Sequence, residues 1–405
     1  GADMPDNIRY ILNGKVITPS RIIENGGLRM AGDEITHVFS GKGPMDDYDE
    51  AGAAVIDAKG NYVCPGFIDL HLHGGGGADF MDGTVEAKDT VCKAHAKGGS
   101  TSILATTLTS SDADLRSALE AFRKAEERHY PLPGSRPFGI HMEGPYFCDA
   151  QRGAQDPRYL KNPSPDHYEP LLEEYPEILR VSAAPELPGA LELGRRLCIR
   201  GILASAGHTD ATFEQIEEAL DAGYTHMTHL YSGMSGVRRI MARRVAGAVE
   251  AGLLLDSLTV EIIADGVHLP PSLLRLIYKC KGPSKIALVT DALRAAGMPE
   301  GEYKLGSSED GQKVIVDEGV AWLPDRTAFA GSVALANRLV RNMVELAGAP
   351  LKEAVEMMSL TPARIIGMDS VAGSLDPGKR ADVVILDDRL DVRMTIVAGT
   401  TVYEA

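Results

Sequence analysis

The chain has 405 residues, 44% of them hydrophobic and 24% charged, proportions of a globular protein long enough to bury a large core. Its formal net charge of −16 argues against nucleic acid, which requires a basic face, and no apolar run approaches the ~20 residues that span a bilayer. Cys64, Cys92, Cys148, Cys198 and Cys280 are odd in number and widely spaced, which argues against a zinc ribbon and for reduced thiols in a cytoplasm.

The chain opens on GADMPDN, with no basic-then-apolar leader. Residues 8–62 then read as short strands punctuated by turn glycines (YILNGKVITP, GGLRMAGDEITHVF, AAVIDAKGNYV). From residue 63 the pattern changes to short apolar runs ending in polar residues: YVCPGFIDLHLH, TSILATTL, FGIHMEG, LRVSAAPE, GILASAGH, THMTHL, TVEIIADGVH and KIALVTDA. Between several of them lie amphipathic segments such as DADLRSALEAFRKAEERH and TFEQIEEALDAG, apolar at helical spacing. Eight alternating units predict an α/β fold, a (β/α)8 barrel over residues 63–369. The strand-like tail 370–405 is expected to join residues 1–62 in a small β-sandwich built from both chain ends, with PLKEAVEMMSLTPARIIGM bridging back to it.

In barrels of this type the reactive groups sit at the C-terminal ends of the strands. Run one ends in His71 and His73, run three in Glu143, run five in His208, run six in His229, run seven in Asp265 and His268, and run eight in Asp291. His71 and His73 stand two apart, so a strand aims both imidazoles into one space. With only 11 histidines in the chain, five at one rim beside three carboxylates outweigh the ordinary reading of any single one as a core or surface residue. Imidazole and carboxylate together suit zinc, iron or a similar divalent ion. The glycines of HGGGG are read as allowing a sharp turn and keeping side chains out of the metal cavity. His226, three before His229, is expected on the barrel exterior, His141 deeper in the core, and His37, His95, His129 and His167 at solvent-exposed positions.

In order, PGFIDLHLHG, HMEGPYF, AGHTDAT, THLYSGM, IIADGVH, LVTDA, FAGS and GSLDPGKRADVVILD make the chain resemble the N-acetylglucosamine-6-phosphate deacetylases of the amidohydrolase superfamily along nearly its whole length. The resemblance implies that Glu143, His208 and His229 hold one metal and that Asp291 is the catalytic carboxylate. Because this chain has the His-x-His pair, His71 and His73 can hold a second metal with Glu143 bridging. The implied substrate is a small amino-sugar phosphate, the implied cofactor zinc or another divalent ion, and the implied assembly a homodimer.

This sequence departs from the family's pattern at the substrate. Gln155 stands where the family has a histidine on the acetyl carbonyl, and is expected to position that carbonyl without carrying charge. Ser232 and Gly233 replace the usual Asn-Ala, with backbone amides expected to cradle an oxyanion. His268 is a further implied anion contact. Arg238, Arg239, Arg243 and Arg244 crowd into SGVRRIMARR, read as a helix face or a phosphate receptor, with Arg239 as the candidate. Three functions compete: deacetylation of N-acetylglucosamine 6-phosphate, the same chemistry on another N-acyl amino sugar or N-acyl amino acid, and a catalytically silent barrel that only binds. Cyclic-amide hydrolases that depend on a carboxylated lysine fit less well, since Glu143 takes the bridging position.

Overall fold

A computed structural model describes residues 7–43, 53–126 and 132–405; His129 lies outside the described residues. All eight runs form strands of one parallel sheet: β1 (Phe67–Leu72), β2 (Ser100–Thr106), β3 (Arg136–Glu143), β4 (Ile178–Ala183), β5 (Leu203–Ala206), β6 (Tyr224–Met227), β7 (Thr259–Ile262) and β8 (Ile286–Leu288). Each pairs with its sequence neighbour. Just past the strand ends, Asp291 N–H donates to His71 O at 2.8 Å and His73 N–H to Ala292 O at 2.8 Å, bringing the last strand back to the first. The runs are apolar throughout rather than alternating because barrel strands are covered on both faces. β2 is buried at every position. Outside it, the helix Asp112–Glu126 buries Leu115, Ala118, Leu119 and Phe122, the stripe expected from its spacing.

Strands from both chain ends form a single eight-stranded sheet. It folds back on itself: Ile35 N–H donates to Lys379 O and Ala381 N–H to Asp33 O, and Leu28, Met30, Val383 and Ile396 share one core. The strand Tyr62–Pro65 pairs with Val383–Leu386 in this sheet, so the expected boundary at residues 62/63 cuts through it and the chain crosses to the barrel at Gly66.

Two elements differ from the sequence reading. Residues Gly301–Ser332 form a four-stranded antiparallel meander (Gly301–Leu305, Gln312–Asp317, Val320–Trp322, Phe329–Ser332) inserted after β8. The arginine cluster is a β-hairpin, not a helix: Arg238–Ile240 pairs with Arg243–Val245 across a turn in which Met241 and Ala242 have φ of 48° and 69°. Positive φ at both central residues makes the tight turn that matches the twist of paired strands.

Candidate active site and metal centre

The C-terminal rim gathers His71, His73, Glu143, His208, His229 and Asp291 into one buried cluster. Glu143, 1% exposed, stands at its centre. Its Oε2 lies 3.2 Å from His71 Nε2, 3.3 Å from His229 Nε2 and 3.5 Å from His208 Nε2, and its Oε1 lies 2.9 Å from His73 Nε2. Asp291 Oδ1 is 3.3 Å from His71 Nε2 and 3.2 Å from His73 Nε2. Two ligand sets result, sharing Glu143: His71, His73, Glu143 and Asp291, and Glu143, His208 and His229.

Backbone geometry marks the same residues. His208, His229 and Asp291 each lie just beyond a strand end with φ of 42°, 25° and 47°. Left-handed conformations are uncommon outside glycine and cluster where function over-determines them. Here the turn swings each side chain off the strand's alternation and over the barrel mouth.

The cluster's electrostatics fit a cation. Burial alone would make the His73 imidazole less basic, but hydrogen bonds to Asp291 and Glu143 outweigh it and push its pKa up to about 10. Burial opposes ionisation of Asp291, yet His71 and His73 hold its carboxyl well below the usual range. His71 Nε2 and Glu143 Oε2 are buried with no hydrogen-bond partner, although both point at the cluster centre. Buried polar atoms are ordinarily satisfied. A divalent ion supplies what these two lack, and the nitrogen and carboxylate donors suit zinc, iron or similar ions.

A cavity of about 180 Å³ opens above the cluster, lined among others by Leu108, Gln155, Ile263, Leu305 and Phe329. Gln155, Ser232, Gly233 and His268 also line it, as do all the cluster residues except His71, which lies beneath. Gln155 Oε1 accepts from Thr109 N–H at 3.2 Å, which leaves its amide N–H groups for the cavity. His268 Nδ1 is bonded to Asp265 Oδ2 at 2.7 Å and its ring packs on Phe329. Ser232 N–H already donates to His229 O at 3.0 Å, so a Ser232 contact with an oxyanion falls to the hydroxyl, not to the expected backbone amide. Arg239 is exposed on the hairpin and is not among the lining residues.

Residues 62–402 match the profile of the amidohydrolase family. The chain belongs to the amidohydrolase family. Its relatives include an N-acetylgalactosamine-6-phosphate deacetylase of Escherichia coli O157:H7, 39% identical over 85% of this chain and 89% of its own. The N-acetylglucosamine-6-phosphate deacetylase of Bacillus subtilis (strain 168) is 34% identical over 96% of this chain and 95% of its own. Among solved structures, the N-acetylglucosamine-6-phosphate deacetylase of Pasteurella multocida matches with a TM-score of 0.89 at 29% identity, covering 98% of this chain and all of that one. A mutant of the Mycobacterium smegmatis enzyme in complex with N-acetyl-D-glucosamine-6-phosphate matches at 0.86 and 32%, over 98% of this chain and 100% of its own.

Several polar groups of this amidohydrolase sit where sequence reasoning did not put them. His226 is buried inside the barrel, not outside, with Nε2 3.0 Å from Glu261 Oε1. β6 ends at Met227, so the alternation that would oppose His226 to His229 does not run through His229. His95, expected at the surface, is fully buried, with Nε2 2.9 Å from Gly74 O. His167 and His37 are half-buried, and His167 bonds Tyr146 and Asp112. His141 is in the core as expected, 2.6 Å from Ser182 Oγ. Glu186, at the end of run four, accepts from Thr209 Oγ1 and from the Asp210 backbone N–H.

The four glycines after His73 form a hairpin and do not line the cavity. Gly74–Gly75 pairs with Ala78–Asp79 across a turn at Gly76 and Gly77, with φ of 64° and 97°. A Cβ on Gly74 would meet Ala78 O at 2.3 Å, so close backbone approach is what this position requires.

Proposed function

We propose that this amidohydrolase hydrolyses the C–N bond of N-acetylglucosamine 6-phosphate, giving glucosamine 6-phosphate and acetate. The observation that carries the reading is one carboxylate, Glu143, shared by four imidazoles beside Asp291 at the floor of an open cavity. Deacetylase relatives over most of the chain support the substrate.

Glu143, His208 and His229 would hold one divalent ion, which we read as zinc, and His71 with His73 and Glu143 a second. When bound, such an ion would polarise the carbonyl and make an attacking water far more acidic than it is in bulk. Asp291 takes the proton as the water oxygen bonds to the acetyl carbon. It returns that proton to the amide nitrogen as the C–N bond breaks, so acetate and a free amine leave and Asp291 is restored. Gln155 donates an amide N–H to the carbonyl oxygen, steadying the developing oxyanion. Ser232, Gly233 and His268 receive the phosphate from the other side of the cavity, and Arg239 contributes positive potential from outside it. The absence of a disulfide among the five cysteines supports a cytoplasmic enzyme. Exposed Val237, Ile240 and Met241 on the arginine hairpin support a homodimer.

Acetate release from N-acetylglucosamine 6-phosphate, N-acetylgalactosamine 6-phosphate, unphosphorylated N-acetylglucosamine and an N-acetyl amino acid tests the reading. The phosphorylated glucosamine derivative is expected to give the highest kcat/KM. A higher value on the galactosamine epimer would move the assignment to the second reading, favoured by the 39% identical relative. Release only from unphosphorylated substrates would overturn the phosphate assignment. No release from any by metal-replete protein would leave a barrel that only binds.

A further inference from the structure

Beneath the cluster, Glu261 occupies the middle of β7 with no exposed surface. Four donors converge on its carboxylate. Arg180 Nη1 at 2.6 Å and His226 Nε2 at 3.0 Å meet Oε1, while His71 Nδ1 at 2.7 Å and the His229 backbone N–H at 3.2 Å meet Oε2. Arg180, also fully buried, is anchored in turn by Leu70 O, Ser205 Oγ and Thr228 Oγ1.

We infer that Glu261, locked by Arg180, is a positioning residue that pre-sets one ligand in each half of the metal centre, His71 by its ring and His229 by its backbone. The inference rests on the reading of that centre as metal-binding. A carboxylate only accepts, so Nδ1 of His71 donates to Glu261, which leaves Nε2 as the nitrogen that would ligate a metal ion beside Glu143. Among the described residues, His71 is the one of the four cluster histidines whose Nδ1 meets a carboxylate; His208 Nδ1 faces a backbone oxygen, that of Gln151. His229 is held at φ 25° with its amide on Glu261, and that turn returns its ring to Glu143. The two ligand sets thus share a brace below as well as Glu143 above. A buried ion pair by itself is weak evidence for stability, and apolar replacement of both partners is often neutral. Here the second oxygen is committed to two candidate ligands, a use no apolar pair reproduces.

The test is stepwise zinc affinity of the metal-free protein, by competition with a chromophoric chelator, in Glu261→Gln and in Arg180→Gln/Glu261→Gln. The double variant leaves no unpaired buried charge and decides the matter if the single one does not fold. His71→Ala and His208→Ala are run beside them, with the unfolding midpoint of each metal-free protein. In the Glu261 variants the zinc step that depends on His71 is expected to weaken roughly ten- to hundredfold, and the other step by less. Activity should return partly at saturating zinc. Unchanged affinities in a folded variant, or a lowered midpoint with both affinities intact, would overturn the inference. If His71→Ala and His208→Ala themselves leave zinc binding unchanged, it is the metal-centre reading that fails.

Discussion

Asp291 is held on two sides: its carboxylate meets His71 and His73, and its backbone N–H is tied to His71 O at 2.8 Å. An amide in its place keeps the size and the hydrogen-bonding reach but can no longer take up a proton. Asp291→Asn is therefore expected to lower kcat roughly 10²- to 10⁴-fold, with the metal of the Glu143, His208 and His229 set retained by elemental analysis. Near-normal turnover would place the general base elsewhere. The residues of this centre were legible because each closes an apolar run, where a barrel exposes side chains to its mouth. The residues beneath them were not. Arg180 and Glu261 stand inside apolar runs, and a charge in mid-strand was the available signal for a buried pair. His226 was misplaced because period-two alternation was carried past the last strand residue, and His95 because a helical histidine was presumed exposed.

The elements read from the sequence follow the same division. A continuous apolar run between amphipathic segments leaves little choice but a covered parallel strand, so all eight barrel strands were foreseen. The meander at Gly301–Ser332 was missed, although GEYKL and QKVIVDEG carry alternation and turn glycines; its last strand supplies Phe329 to the cavity wall. The arginine hairpin was misread because Met241 and Ala242 are not residues that announce a tight turn. Its geometry changes what Arg239 can do. Arg238 is paired with Asp210 at 2.9 Å, while Arg239 is exposed and opposite Arg244. A group outside the cavity acts on an anionic substrate through the field, which salt screens over about 10 Å at 0.1 M and about 3 Å at 1 M. Arg239→Glu is expected to lower kcat/KM for the phosphorylated sugar a few-fold at low ionic strength, with kcat unchanged and the difference gone near 1 M salt. A loss that persists at high salt would mean direct contact with phosphate, and equal loss on an unphosphorylated sugar would mean a role in the fold.

At the scale of the whole molecule, the sheet from both chain ends and the barrel are bolted together through buried and half-buried polar contacts: Gly66 N–H to Asp382 O, Thr395 Oγ1 to Ala96 O and Arg380 to Ser102 Oγ. That both ends form one sheet was legible from turn-punctuated strands at each; the crossing point was not, since YVCPGFIDLHLH runs through it without a break in hydropathy. Stability of such an assembly is sensitive to charge introduced between its layers, and His95 offers a measurable case. Its Nε2–H donates to Gly74 O, its Nδ1 is buried without a partner, and burial lowers its pKa to about 4. In the unfolded chain the value returns to ~6.5. Between those two values the unfolded chain binds a proton that the folded one refuses, so this contribution to stability is full above pH ~6.5 and is lost as pH falls towards ~4. The slope approaches ~1.4 kcal/mol per pH unit and the loss totals about 3 kcal/mol. His95→Gln keeps a donor for Gly74 O and removes the titration. Urea unfolding of both metal-free proteins at several pH values should show the wild type losing about 3 kcal/mol more than the variant between pH ~7 and ~4. Parallel curves over that range would mean that His95 takes up its proton within the folded protein at no cost.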